Sequence, residues 1–293
     1  MRAPERISAK TGDVGGLPIR RALPSTGRRR IGAWCFLDHA GPATLTAPGM
    51  RVGPHPHTGL QTFSWLIEGE ILHRDSLGSE QVLRAGQINL MTAGRGISHS
   101  EESLSERLHL AQLWIALPDA VRHCEPRFEH FATLPQQSLG GFDLTLLQGS
   151  FAGQTSPVPA ASPLLGIDLA CASAAANEFA LDPSFEHGVM VLDGALEIEG
   201  EHVEPGTLLY FAPGTERIIV RGSGPARALL LGGAPLEEPV LLWWNFVART
   251  GEEVAQYTAE WNAGDAKFGE VHGFEGPRLL APDLAGLHLK GSI

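Results

Sequence analysis

Cysteine is scarce in this chain: Cys35, Cys124 and Cys171 are the only three in 293 residues. Odd in number and far apart, they form neither a disulfide framework nor a CxxC metal pair, and they suit a reducing compartment. Long apolar runs are also missing. No run of uncharged apolar residues reaches the roughly 18 that a membrane-spanning helix needs, and the opening segment MRAPERISAKTGDVGG has no apolar core of a secretory signal. Basic charge is the third shortage. Twenty-two Lys and Arg against 33 Asp and Glu leave a formal net charge of -11, which repels a phosphate backbone and an anionic membrane alike. Together these absences predict a cytoplasmic protein with no nucleic-acid or membrane partner.

What is present is glycine and apolar strand material. Thirty-five glycines and 21 prolines punctuate short apolar segments, and 43% of the chain is hydrophobic, enough for a sizeable core. Thr62 to Ile67, Gln87 to Met91, Leu108 to Ile115 and Val189 to Leu192 are strand-length and rich in β-branched and aromatic residues. Short strands broken by frequent turns predict an all-β sandwich or barrel. One helix is predicted: Thr250 and Glu253 make a capping-box pattern, Val254, Tyr257 and Trp261 share a face, and Gly264 stops it.

The glycines also carry a repeat. Gly69 and Gly194 each end a strand, and Gly86 to Gly94 spans the same interval as Gly206 to Gly214. Two copies of one β-barrel module follow. The loop-like stretch from Gly149 to Pro163 sets the expected domains at residues 1–148 and 149–293.

Within the first copy, His55-Pro56-His57 places two imidazoles at i and i+2, on one face of an extended strand. His99-Ser100-Glu101 repeats the geometry with a carboxylate. Twelve histidines give roughly half of one HxH pair by chance, so the weight rests on HxH, a Gly-bounded strand ladder and HxE occurring together. Three nitrogens and one oxygen suit a divalent first-row metal such as iron, manganese, cobalt, nickel, copper or zinc, with positions left open for substrate.

These strings resemble a known family. His55-Pro56-His57-Thr58-Gly59, His73-Arg74-Asp75-Ser76-Leu77-Gly78 and Met91 through Glu101 (MTAGRGISHSE) are similar to the pirins of the cupin superfamily. The resemblance implies two tandem cupin (jelly-roll) barrels, with a metal, usually iron as Fe(II), in the N-terminal one. It places the ligands on His55, His57, His99 and Glu101. It further implies a dioxygenase that cleaves flavonols such as quercetin, a small aromatic substrate, with dioxygen. Glu101 would accept the substrate proton, and Phe63 and Trp65 are candidates to shield the reacting complex. Eukaryotic relatives described as transcription cofactors imply the alternative of a redox-responsive binding protein with a regulatory protein partner. A third alternative is another metal-dependent cupin enzyme such as an isomerase. Where relatives usually carry glutamate, this chain has Gln61, which could alter the surroundings of the metal.

Aligned on the glycines, the second copy offers Ala180, Asp182, Ile219 and Arg221 at the four ligand positions, with His187 and His202 isolated. A metal-free C-terminal barrel is expected. His73 reads as a turn contact, Asp38-His39 as a hydrogen-bonded pair, Arg28-Arg29-Arg30 as a solvated basic run, and Trp243 and Trp244 as packing.

Overall fold

The structure, a computed structural model, describes residues 3–286. The chain folds as two compact units, and neither is one continuous segment. Residues 13–19, 40–130 and 236–286 make the unit called here the N-terminal barrel; residues 3–12, 20–39 and 131–235 make the C-terminal barrel. This partition differs from a single cut at 148/149. The segment beyond Gly149 that reads as a linker is the small strand pair Ser150–Phe151 and Gln154–Thr155, inside the C-terminal barrel.

Each barrel is a jelly roll of two antiparallel sheets, so the all-β, two-barrel cupin architecture is the one observed, with a short helix near the C-terminal end. In the N-terminal barrel the smaller sheet has the order Arg51–His57, Ile97–Ser103, Glu70–Asp75, Glu80–Arg84. The strands Ile88–Thr92, Leu60–Glu68 and Arg107–Ala116 stand side by side in the larger sheet. Leu66, Leu108 and Leu110 from the larger sheet and Ile71 and Leu83 from the smaller share one buried cluster. Alternation places these residues on the inner faces.

The C-terminal barrel repeats the plan. Its smaller sheet runs Ala175–Ala180, Arg217–Gly222, Leu196–Ile198, Glu201–Val203. Phe179, Ile198, Val203 and Ile218 from this sheet close on Ile167, Val189, Leu209 and Leu230 from the larger one. The strand Glu5–Ser8, from the start of the chain, extends that larger sheet by pairing with Thr207–Phe211.

The helix Gly251–Ala263 forms as its sequence dictates. Thr250 accepts a hydrogen bond from the Glu253 amide, and Gly264 closes the helix in the left-handed region at φ 80°. Val254, Tyr257 and Trp261 are buried, clustered with Phe246 and Phe268. Trp243 and Trp244 pack against the same cluster, as expected.

Three minor expectations gain detail. Asp38 is held by both Arg21 Nε (2.7 Å) and Nη2 (2.6 Å), since a guanidinium offers a carboxylate two parallel donors. The Arg28 to Arg30 run is not a uniformly solvated face: Arg28 pairs with Glu5 and stacks on Tyr210, and Arg30 is buried. His73 is the expected turn contact but a buried one, 2% exposed, bonding the Asp75 carboxylate that accepts from the Leu77 and Ser79 amides.

Candidate metal centre

Strand pairing assembles the centre. His55 lies directly opposite His99 and His57 opposite Ile97, so the imidazoles of two neighbouring strands meet on one inner face. On its other side the His99 strand pairs with Glu70–Asp75, which sets His99 opposite Asp75 and Glu101 opposite His73. A register shift accompanies this: two steps from His99 to Glu101 match three from His55 to Val52. The extra residue falls at Gly53-Pro54, and such a bulge re-aims a strand beside a site. Glycine at 94 is required for the turn that delivers His99. Its φ is 52°, and a Cβ there would sit 2.0 Å from the Cys124 carbonyl oxygen.

The three histidines are buried and in mutual contact, with ring centroids 4.3 to 5.1 Å apart. Their ligand nitrogens all lie within 4.8 Å of one another. His55 Nδ1 donates to the Gly53 carbonyl at 2.8 Å and His57 Nδ1 to the Asn245 carbonyl at 2.9 Å. Those bonds leave each Nε2 lone pair facing inward, the usual arrangement of a metal-ligating histidine. The Nε2 atoms of His57 and His99 are 3.1 Å apart, near the separation of about 3 Å that two ligands at roughly 2.1 Å from one ion adopt at a right angle. Burial, then the neighbouring imidazoles and His73, hold His57 and His99 well below the ordinary imidazole range. Burial also brings His55 down to about 4. All three are therefore neutral at neutral pH, the form that binds a metal. The donor set fits a first-row divalent cation.

Glu101 belongs to a second, overlapping group, made with His73 and His99. The four expected ligands thus do not form one quartet: three make the first triad, and Glu101 joins His99 in a second triad completed by His73. Burial pushes the Glu101 carboxyl above its usual range, with the Ser64 hydroxyl opposing it.

The surroundings correct the expected shield. Ser64 faces Glu101, and side chains alternate along Leu60–Glu68, so Phe63 and Trp65 point to the opposite face. Gln61 shares their side; its Nε2 donates to Thr92 Oγ1 at 2.9 Å. The aromatic walls are instead Trp114, edge-on to His57 at 5.0 Å, and Phe128, stacked on His73 at 4.4 Å. Asn245, in the turn between Leu241–Trp243 and Phe246–Ala248, could not be found from local motifs because it lies 188 positions from His57. His73 could have been: on a strand neighbouring HxE, HxD at the same parity faces the same interior.

The glycine alignment of the second copy was one residue out. In the C-terminal barrel the inward cross-strand pair matching His55 and His99 is Phe179 and Ile218, flanked inside by Leu181 and Val220. Ala180 and Arg221 are exposed on the other face. A slip of one residue exchanges the faces of a strand, and glycine spacing alone does not fix that register.

A jelly-roll pair with three neutral histidines converging inside one barrel defines a two-barrel cupin protein with a candidate metal centre. Two family descriptions match, Pirin over residues 16–115 and Pirin C-terminal cupin domain over residues 166–269. The chain belongs to the pirin family. A Pseudomonas aeruginosa protein provisionally named as a quercetin 2,3-dioxygenase is 50% identical over 284 residues, 96% of this chain and 90% of that protein. A pirin-like protein of Caulobacter vibrioides is 36% identical, covering 91% of this chain and 96% of that one. The crystal structure of quercetin 2,3-dioxygenase from Acinetobacter baumannii superposes with a TM-score of 0.96 at 44% identity, over 99% of this chain and 98% of that one.

Proposed function

We propose that this pirin is a metal-dependent dioxygenase that opens flavonols such as quercetin, with one divalent cation, Fe(II) foremost, in the N-terminal barrel. The convergence of His55, His57 and His99 through inward Nε2 atoms carries the reading. The names of the similar Pseudomonas and Acinetobacter proteins support the substrate. When bound, the cation supplies a Lewis-acidic centre at which an enol oxygen and dioxygen can be held near each other.

The protein's own groups do the rest. His55, His57 and His99 hold the cation as neutral donors, and Glu101 is the group that completes the set and takes the substrate hydroxyl proton. A carboxyl raised by burial is a stronger base once ionised, which suits a phenolic or enolic proton. Trp114 beside His57 offers an aromatic wall for a flat substrate and excludes water. The buried apolar positions matching the ligands in the C-terminal barrel support a metal-free partner domain. Three free cysteines and the absence, among the described residues, of a helix long and apolar enough to cross a membrane are consistent with a cytoplasmic site of action.

The test is oxygen uptake with quercetin by the Fe(II)-loaded full chain and by Glu101→Gln. The reading expects turnover in the wild type and a loss of about 100-fold or more in the variant. A fully loaded wild type that leaves quercetin and related flavonols intact would overturn the substrate.

A further inference from the structure

His55 and His57 are oriented by backbone carbonyls, but His99 is held differently. Its Nε2 faces His57, and its Nδ1 faces Nδ1 of His73 at 3.4 Å. Two imidazole nitrogens can bond only if one carries the proton and the other a lone pair, so the tautomer of His73 decides the direction.

That tautomer follows from Asp75. One carboxylate oxygen, Oδ1, accepts hydrogen bonds from the amides of Leu77 (2.9 Å) and Ser79 (3.0 Å), and the other, Oδ2, lies 3.2 Å from His73 Nε2. Two backbone amides donating to one oxygen favour the ionised carboxylate. An ionised carboxylate only accepts, so the proton between them sits on His73 Nε2. With the ring neutral, His73 Nδ1 is a lone pair directed at His99. The ring is 2% exposed and stacks on Phe128 with an interplanar angle of 17°, which fixes its plane.

We propose that His73, oriented by Asp75, is the positioning residue for His99: it accepts the His99 Nδ1–H and so turns the His99 Nε2 lone pair toward the cation. A hydrogen-bonded chain runs from the Leu77 and Ser79 amides through Asp75, His73 and His99 to the ion. It gives His99 the support that carbonyls give His55 and His57, with the added polarisation a carboxylate–histidine pair confers. The inference rests on the metal reading of the site, but it assigns His73 a role outside the ligand set.

The experiment uses the full chain with 15N-labelled histidine and zinc as the probe ion. In metal-free and zinc-loaded protein alike, His73 is expected as the Nε2-protonated tautomer. Zinc-loaded protein should show a His99 Nδ1–H protected from exchange. His73→Phe, which keeps a ring against Phe128, should lose that protected proton and roughly 10- to 100-fold in zinc affinity. His73→Asn, which restores an acceptor near the Nδ1 position, should recover most of both. A His73 protonated on Nδ1, or unchanged zinc affinity in His73→Phe, would overturn the proposal. So would two zinc ions per wild-type chain falling to one in His73→Phe, because His73 would then be a ligand. If the wild type binds no zinc, the metal reading fails, and the tautomer of His73 in the metal-free protein still decides the hydrogen-bonded chain.

Discussion

The two barrels share a sheet order and differ in the inward side chains of two paired strands. In the N-terminal barrel the inward pair is His55 and His99; in the C-terminal barrel it is Phe179 and Ile218. Three neutral imidazoles with converging lone pairs gain little from one another, and their proximity makes sense as a cage for a cation. Phe179 and Ile218 instead bury apolar surface in a closed core and need nothing added. One fold thus hosts a candidate site and a structural core according to a few inward side chains.

This contrast can be broken most strongly at Phe179. Phe179→Ala leaves a cavity among Phe142, Phe151 and the barrel core, so it should cost about 3–5 kcal/mol of stability. Calorimetry should show that loss with metal content per folded chain unchanged; a loss of metal instead would contradict the separation of roles. His57→Ala should do the reverse. Metal affinity should fall at least about 100-fold, while the metal-free protein loses on the order of 1 kcal/mol with the Asn245 bond. Equal metal content in wild type and variant, by elemental analysis, would remove His57 from the centre.

A smaller effect is a pH dependence that the C-terminal barrel shares with the metal-free N-terminal one. His187 in the C-terminal barrel is buried, and burial brings it from 6.5 down to about 4. Between those values the unfolded chain binds a proton that the folded chain does not. Its contribution is therefore undiminished above pH 6.5, and stability falls as the pH drops toward 4, by at most about 1.4 kcal/mol per unit. His187→Phe should flatten that part of the stability profile in denaturant titrations, and an unaltered slope would refute the assignment. Smallest is Gln61→Glu. Because Gln61 lies on the face away from Ser64, metal affinity should scarcely move. A carboxyl at a position 0% exposed should cost about 1–3 kcal/mol even when kept neutral by its burial.

Much of this was legible in the sequence because it depends on local rules. Thr250, Glu253 and Gly264 mark the helix by cap chemistry, and HxH and HxE mark the histidine strands by parity. What was not legible depends on register and on distant chain. Glycine spacing located the second copy but missed its inward face by one residue, naming Ala180 and Ile219 where Phe179 and Ile218 point inside. Phe63 and Trp65 read as the shield because they are apolar, whereas pairing turns Ser64 toward Glu101 and brings Trp114 to His57. The backbone of Asn245 supports His57 from a segment with no motif. The place of Glu5–Ser8 in the C-terminal barrel follows from its pairing with Thr207–Phe211, which composition does not encode.

The most direct measurement is anomalous diffraction from crystals of protein purified without oxygen, at the absorption edge of the metal found by elemental analysis. The account predicts one strong peak per chain within bonding distance of Nε2 of His55, His57 and His99, and none beside Phe179 and Ile218. A loaded protein whose peak lies elsewhere, or a second peak inside the C-terminal barrel, would contradict it.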